Sequence, residues 1–320
     1  MFEKELHLNG SNALISMFAG DPVNNIKLFE NLFHVKIISR DCLIKISSSN
    51  SLFTEQVCDI IKELNDIYIS GYTIHQDDLE FVLSKGNSKN IKNFYSESIK
   101  VSPRKNSIVP RTATQFDYIR SMNKKDIVFG VGPAGTGKTY LAMAMAISSF
   151  LAGNHDRIIL TRPAMEAGEN LGFLPGSLEE KIKPFLRPLY DALYDMLDFD
   201  EANKLIEKSV IELAPLAFMR GRTLNNSFVI LDEAQNTTPE QMMMFLTRLG
   251  FESKCVITGD PSQTDLPNNK LSGLVHADRI LKSIHEIDFL HFTSKDVVRS
   301  SIVEKIINAY EYDKTKKGKL

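Results

Sequence analysis

The chain has 320 residues, 43% of them hydrophobic, enough to bury a sizeable core and to build one large domain with a smaller one. A formal charge of -2 excludes a global electrostatic footprint, so any affinity for nucleic acid has to come from local basic patches. Cys42, Cys58 and Cys255 lack metal-ligand spacing and make no disulfide framework, and Met1-Phe2-Glu3-Lys4-Glu5-Leu6 lacks the basic and then apolar run of a secretory signal, so a cytoplasmic, reducing location is expected.

Residues 1–84 read as a small α/β unit. The pattern predicts a helix over 24–33, strands over 35–39 and 43–47 joined by a hairpin turn at Arg40-Asp41-Cys42, and a second helix over 52–67. The layout is KH-like in shape, as in nucleic-acid-binding modules, but their phosphate-clamping G-x-x-G loop is not evident, since Gly20-Asp21-Pro22-Val23 lacks the second Gly. Residues 85–110 read as a basic linker: Lys85, Lys89, Lys92, Lys100, Arg104, Lys105 and the adjoining Arg111 face a single acid, Glu97. Two readings stay open there, a solvated tether or a segment whose Phe94 and Tyr95 stack on bases.

From residue 111 to 312, strands predicted at 126–131, 157–160, 228–231, 254–258 and 287–292 alternate with helical segments, which gives a parallel sheet covered on both faces. Between the first strand and an Ala/Met-rich helical run over 140–150 stands Gly132-Pro133-Ala134-Gly135-Thr136-Gly137-Lys138-Thr139, a fit to G-x-x-x-x-G-K-[ST] at every position. Such a loop turns successive backbone N–H groups onto phosphate oxygens at the positive end of a helix. Lys138 adds charge toward the outer phosphates, and the Thr139 hydroxyl suits a magnesium ion bridging them. The apolar stretch 141–151 is too short for a membrane span and holds Ser148 and Ser149, so it reads as a buried crossover helix. The tail, 313–320, is basic.

Phe228-Val229-Ile230-Leu231 runs into Asp232-Glu233-Ala234-Gln235, which puts two carboxylates at the end of a parallel strand, where ligands bind in such sheets. Asp232 is expected to hold the magnesium ion, directly or through water, and Glu233 to polarise a water for in-line attack on the terminal phosphate. An activated water means hydrolysis. The alternative is an Asp-Glu pair that merely opens a helix. Lys254-Cys255-Val256-Ile257-Thr258 ends in Gly259-Asp260-Pro261-Ser262-Gln263, and Gln263 is a candidate sensor of the terminal phosphate or the water. Arg162, at the end of the strand over 157–160, and Gln263 are otherwise plain loop residues.

Taken together these motifs closely resemble the PhoH family of ATPases, whose core is similar to one nucleotide-binding lobe of superfamily 1 helicases. The resemblance runs from about Pro110 to Tyr310 and includes the loop at 132–139, Arg162-Pro163-Ala164, Gly172-Phe173-Leu174-Pro175-Gly176, Met219-Arg220-Gly221-Arg222-Thr223, Asp232-Glu233-Ala234-Gln235, Gly259-Asp260-Pro261-Ser262-Gln263 and Asp296-Val297-Val298-Arg299. It implies ATP and Mg2+ as cofactors, a P-loop RecA-like sheet, a cytoplasmic location without a membrane, and a part in RNA metabolism beside RNA, a YbeY-like endoribonuclease or ribosomal components. It also implies that Gln115 reads the adenine edge; Asn269-Lys270-Leu271-Ser272 lacks the Asp of guanine-reading loops, in keeping with adenine. A helicase-like motor closes two lobes over ATP, so a single lobe implies a homo-oligomer, and the resemblance implies a hexameric ring. Arg299 is then the candidate arginine finger, within its chain or across an interface, unless it is an ordinary salt-bridging residue; Arg220 and Arg222 are candidates for RNA or phosphate contact. Three activities compete: an RNA-acting ATPase with possible helicase action, a nucleotide-gated adaptor that recruits a nuclease or ribosomal particle, and a kinase, which Glu233 disfavours.

Overall fold

A computed structural model describes residues 1–8, 22–69, 74, 95, 97–102, 107–163, 178–267 and 270–298, the side chains of 22 and 178–184 excepted. Outside them lie Gly20 and Asp21, Phe94, Ala164, the motif at 172–176, Asn269, Arg299 with the apolar-patterned stretch that follows it, and the tail at 313–320. The chain divides into two compact units, Met1–Lys100 with Asn106–Arg111, and Val101–Lys105 with Thr112–Leu320.

The smaller unit contains β1 (Phe2–His7), α1 (Pro22–Phe33), β2 (Val35–Arg40), β3 (Leu43–Ser48) and α2 (Ser51–Ile69). Its sheet runs β1-β3-β2 with both pairings antiparallel, and Arg40 opposite Leu43 leaves Asp41-Cys42 as the hairpin turn. Asp41 takes φ +48, which a two-residue hairpin needs and Asp tolerates. Strand β1 was not anticipated, because Phe2-Glu3-Lys4-Glu5-Leu6-His7 buries Leu6 alone and carries no apolar alternation. Ile44 and Ile46 point inward from β3, and α2 meets them with Val57, Ile60, Ile61 and Leu64 at helical spacing. Tyr95 joins this core at 4% exposure, so its ring is not available to stack on bases. Within the stretch 85–110, Ile99 and Ile108 exchange backbone hydrogen bonds of 2.8 and 2.9 Å, so part of it is ordered into the smaller unit.

The larger unit opens with α3 (Ala113–Lys124), β4 (Ile127–Val131), α4 (Lys138–Leu151), β5 (Arg157–Arg162), α5 (Leu178–Met196), α6 (Phe199–Glu207) and β6 (Ile211–Pro215). It continues with β7 (Ser227–Leu231), α7 (Pro239–Leu246), β8 (Lys254–Gly259), α8 (Gly273–Ile280) and β9 (Ile287–His291), with short 3-10 turns at Leu216–Met219, Ala234–Asn236 and Ser294–Asp296. The six strands lie in the order β6-β5-β7-β8-β4-β9, all parallel. Every residue of β7 is buried and only Ile127 of β4 reaches partial exposure, as expected for strands covered on both faces. Edge strand β6 was not anticipated: Ile-Glu-Leu-Ala-Pro is short, carries a charge at its second position and ends on a proline. Phe129, Ile159, Val229, Leu231 and Ile257 form the centre of the core on one face of this sheet. Helix α4 is buried from Leu141 to Ile147, which accounts for its apolar run, and among the described residues no helix is long and apolar enough to cross a membrane.

Candidate nucleotide-binding site

The sheet order determines the geometry of the site. Strand β4, which feeds the glycine-rich loop, and β7, which carries the two acids, are not neighbours; β8 lies between them. In register, Val131 pairs with Gly259 and Leu231 with Ile257, so Thr258 of β8 sits between the loop and Asp232. The consequence is a cluster at the carboxyl edge. Thr139 Oγ1 donates to Asp232 Oδ1 at 2.7 Å, and Thr258 Oγ1 donates to the same oxygen at 2.8 Å. Asp232 is buried, and its backbone N–H is tied to Thr161 O of β5 at 2.9 Å.

The loop itself is shaped by its glycines. Gly137, at φ +80, ends it and caps α4, so the helix N-terminus opens into the concavity. Thr136 Oγ1 donates to Pro133 O at 2.9 Å and stiffens the turn, while Ala134 and Gly135 remain exposed at its tip. Lys138 is buried, and its Nζ donates to Gly132 O at 2.6 Å and Pro133 O at 2.7 Å, so the ammonium lies inside the loop where phosphate oxygens would come. Burial pushes its pKa down from the ordinary lysine value, and the carboxylates of Asp260, Asp232 and Glu233 oppose that shift.

Gln115 is in direct contact with the glycine-rich loop. It is buried on α3 and its Nε2 donates to Thr136 O at 3.0 Å, which braces the phosphate loop from behind. Gln263 is exposed, and its Nε2 donates to Asp260 Oδ2 at 2.7 Å within its own turn. Arg222 grips Glu212 of β6 at 2.7 Å, which raises its pKa above the ordinary arginine value and assigns it to the packing of the strand edge; Arg220 is exposed. Glu233 is half-buried, takes φ +54, and meets the Arg162 guanidinium at 3.1 Å.

Three contributors were not singled out from sequence. Thr258 hides as the last polar residue of an apolar strand, and only the strand order brings it to Asp232. Gln235 was noted only as part of a motif, yet its Oε1 accepts from Asp260 N at 3.0 Å and its Nε2 reaches Glu233 and, at 3.3 Å, Gln263 O. It links the ends of β7 and β8. Asp260 is likewise buried and organises its turn through Ser262 and Gln263.

The residues fit a magnesium ion held mainly by phosphates and water, which requires little more than a hydroxyl and a carboxylate from the protein. Thr139 and Asp232 supply that pair, already 2.7 Å apart. Among the described residues no group of three or more His, Cys, Asp or Glu is arranged to hold a metal without such help.

A glycine-rich loop between the first strand of a parallel sheet and its helix, opposed by an acidic strand end, defines a P-loop nucleoside-triphosphatase fold with nucleotide-binding character. The comparisons with known proteins agree with that class. The PhoH family, described as PhoH-like protein, matches residues 107–311. A PhoH-like protein of Bacillus subtilis (strain 168) is 46% identical over 308 residues, which is 95% of this chain and 96% of the relative. A PhoH-like protein of Mycobacterium bovis is 59% identical over 210 residues, 66% of this chain and 60% of the relative. Protein PhoH of Escherichia coli (strain K12) is 40% identical over 205 residues, 63% of this chain and 58% of the relative. The chain belongs to the PhoH family.

Proposed function

We propose that this protein is a magnesium-dependent ATPase that acts in RNA metabolism. The observation that carries the reading is the contact of Thr139 with Asp232 at 2.7 Å at the mouth of the phosphate loop, with Glu233 as the next residue along the chain. Loop N–H groups from Gly135 to Thr139 and the Lys138 ammonium would bind the phosphates. Thr139 and Asp232 would hold magnesium, whose charge offsets the negative charge on the phosphate oxygens. Glu233 would accept a proton from the attacking water as its oxygen bonds to the terminal phosphorus and the bond from that phosphorus to the bridging oxygen breaks, the electron pair leaving with ADP; Asp260 with Gln263 would register whether that phosphate is present.

Gln115 supports this site by bracing the loop, and the reading of the adenine edge by its amide stays part of the proposal. Arg299 follows Val298, whose N–H donates to Gly135 O at 2.9 Å, and that tether supports a role for Arg299 near the transferred phosphate, within its own chain or in a neighbouring copy of a homo-oligomer. RNA is the proposed partner, together with a YbeY-like endoribonuclease or a ribosomal particle, in the cytoplasm.

The test is ATP turnover with and without single-stranded RNA at several salt concentrations. Stimulation of tenfold or so that weakens as salt rises is the result expected of an RNA-dependent motor. Turnover indifferent to RNA, with ATP-dependent binding of a protein partner, would favour the adaptor instead.

A further inference from the structure

Glu233 is engaged on both carboxylate oxygens. Oε1 lies 3.1 Å from Arg162 Nη2, and Oε2 accepts a hydrogen bond from Gln235 Nε2. The other arm of the guanidinium, Nη1, donates to Phe185 O of α5 at 3.1 Å. Arg162 thus bridges the end of β5, the backbone of α5 and the carboxylate at the end of β7. With one acceptor site on each oxygen occupied and its direction fixed by a cation and an amide, the carboxylate is a poorer acceptor for the proton of a water. The left-handed backbone at Glu233, φ +54, belongs to a region that non-glycine residues seldom occupy, and such departures gather at sites where a side chain must be held in one direction. The pair is also open to competition: the side chains retain 23% exposure at Arg162 and 35% at Glu233, so an anion from solvent can reach the guanidinium.

We propose that Arg162 is a positioning residue that keeps Glu233 from acting as a base, and that a phosphate of a bound RNA strand releases Glu233 by taking the guanidinium for itself. The planar fork of arginine pairs with phosphate as well as with carboxylate, so exchange of one anion for the other leaves the arginine satisfied and the carboxylate free. Phe185 O gives α5 a grip on the same guanidinium, so binding of a strand is transmitted to that helix as well as to the base. The inference rests on the reading of Glu233 as the base of an ATPase.

The experiment is steady-state hydrolysis of Mg-ATP by wild type, R162A, E233Q and the R162A/E233Q double variant, with and without a single-stranded oligoribonucleotide. R162A is expected to raise kcat without RNA about two- to fivefold, the scale of one partly exposed ion pair, and to lose the response to RNA. Its KM for ATP should stay within about twofold of wild type, which also verifies that it folds. The double variant should fall to the E233Q rate, since the gain has to pass through Glu233. R162K, which keeps the charge without the fork, should lie between wild type and R162A and replaces it if that variant does not fold. A basal rate at or below wild type, or an RNA stimulation equal to wild type, overturns the proposal. If E233Q itself turns over like wild type, the assignment of the base fails first, and the two failures are thereby distinguished.

Discussion

Gly132 carries a constraint that its place in a motif does not reveal. Its φ is +144, and a Cβ there would stand 2.4 Å from the backbone oxygen of Phe292, which cannot move aside as a flexible side chain could. Gly132→Ala is therefore expected to destabilise the larger unit by about 2–4 kcal/mol and to weaken ATP binding, read as a lowered thermal midpoint and a raised Kd. An unchanged midpoint would mean that the loop can shift away from Phe292. Much of the site at this scale was legible, because a phosphate loop requires particular residue types at fixed spacing. What was not legible were residues whose work depends on a neighbour far along the chain. Gln115 bonds to Thr136 across 21 positions, and Gln235 to Asp260 across 25; nothing in either local sequence announces the partner.

Strands that are continuous apolar runs, such as β7 and β8, could be read because burial on both faces leaves no polar alternation. Strands β1 and β6 escaped, since each is an edge strand with charges on it and carries little of the pattern that burial imposes. The order of the strands was also beyond sequence, and it matters most: the insertion of β8 between β4 and β7 brings Thr258 to Asp232. The segment after β9 makes a second contribution at this scale. Asp296 is buried in the turn at Ser294–Asp296, where its Oδ2 accepts from Thr293 N at 2.8 Å, while Val298 N holds Gly135 O of the phosphate loop. Burial alone would raise the Asp296 pKa, but hydrogen bonds from the Thr293 backbone and from the Thr114, Thr112 and Thr293 side chains outweigh it and hold the value below the ordinary 3.8. Because the folded value is the lower one, the carboxylate stabilises the fold fully above pH 3.8, and that contribution disappears as pH falls through the folded value. Asp296→Asn should thus lose about 1 kcal/mol at neutral pH and converge on wild type in acid, as measured by denaturant unfolding across pH. A deficit that stays constant down to the lowest pH would contradict the role of the charge.

Taken whole, the chain combines a small unit of three antiparallel strands with a six-stranded parallel unit, and each buries its own apolar core. Every described residue of the candidate site belongs to the larger unit. The composition shift over 85–110 reads in sequence as a linker, whereas most of that stretch is grouped with the smaller unit, and the pairing of Ile99 with Ile108 was hidden by the polar residues around it. The proposed activity depends on hydrolysis of ATP through Glu233. The most direct measurement is turnover of Mg-ATP by E233Q against wild type, with bound ATP quantified in the same samples. The account predicts that E233Q retains ATP while its turnover falls by about two to four orders of magnitude; turnover at the wild-type rate would show that Glu233 is not the base and that the acidic strand end serves only to hold the site together.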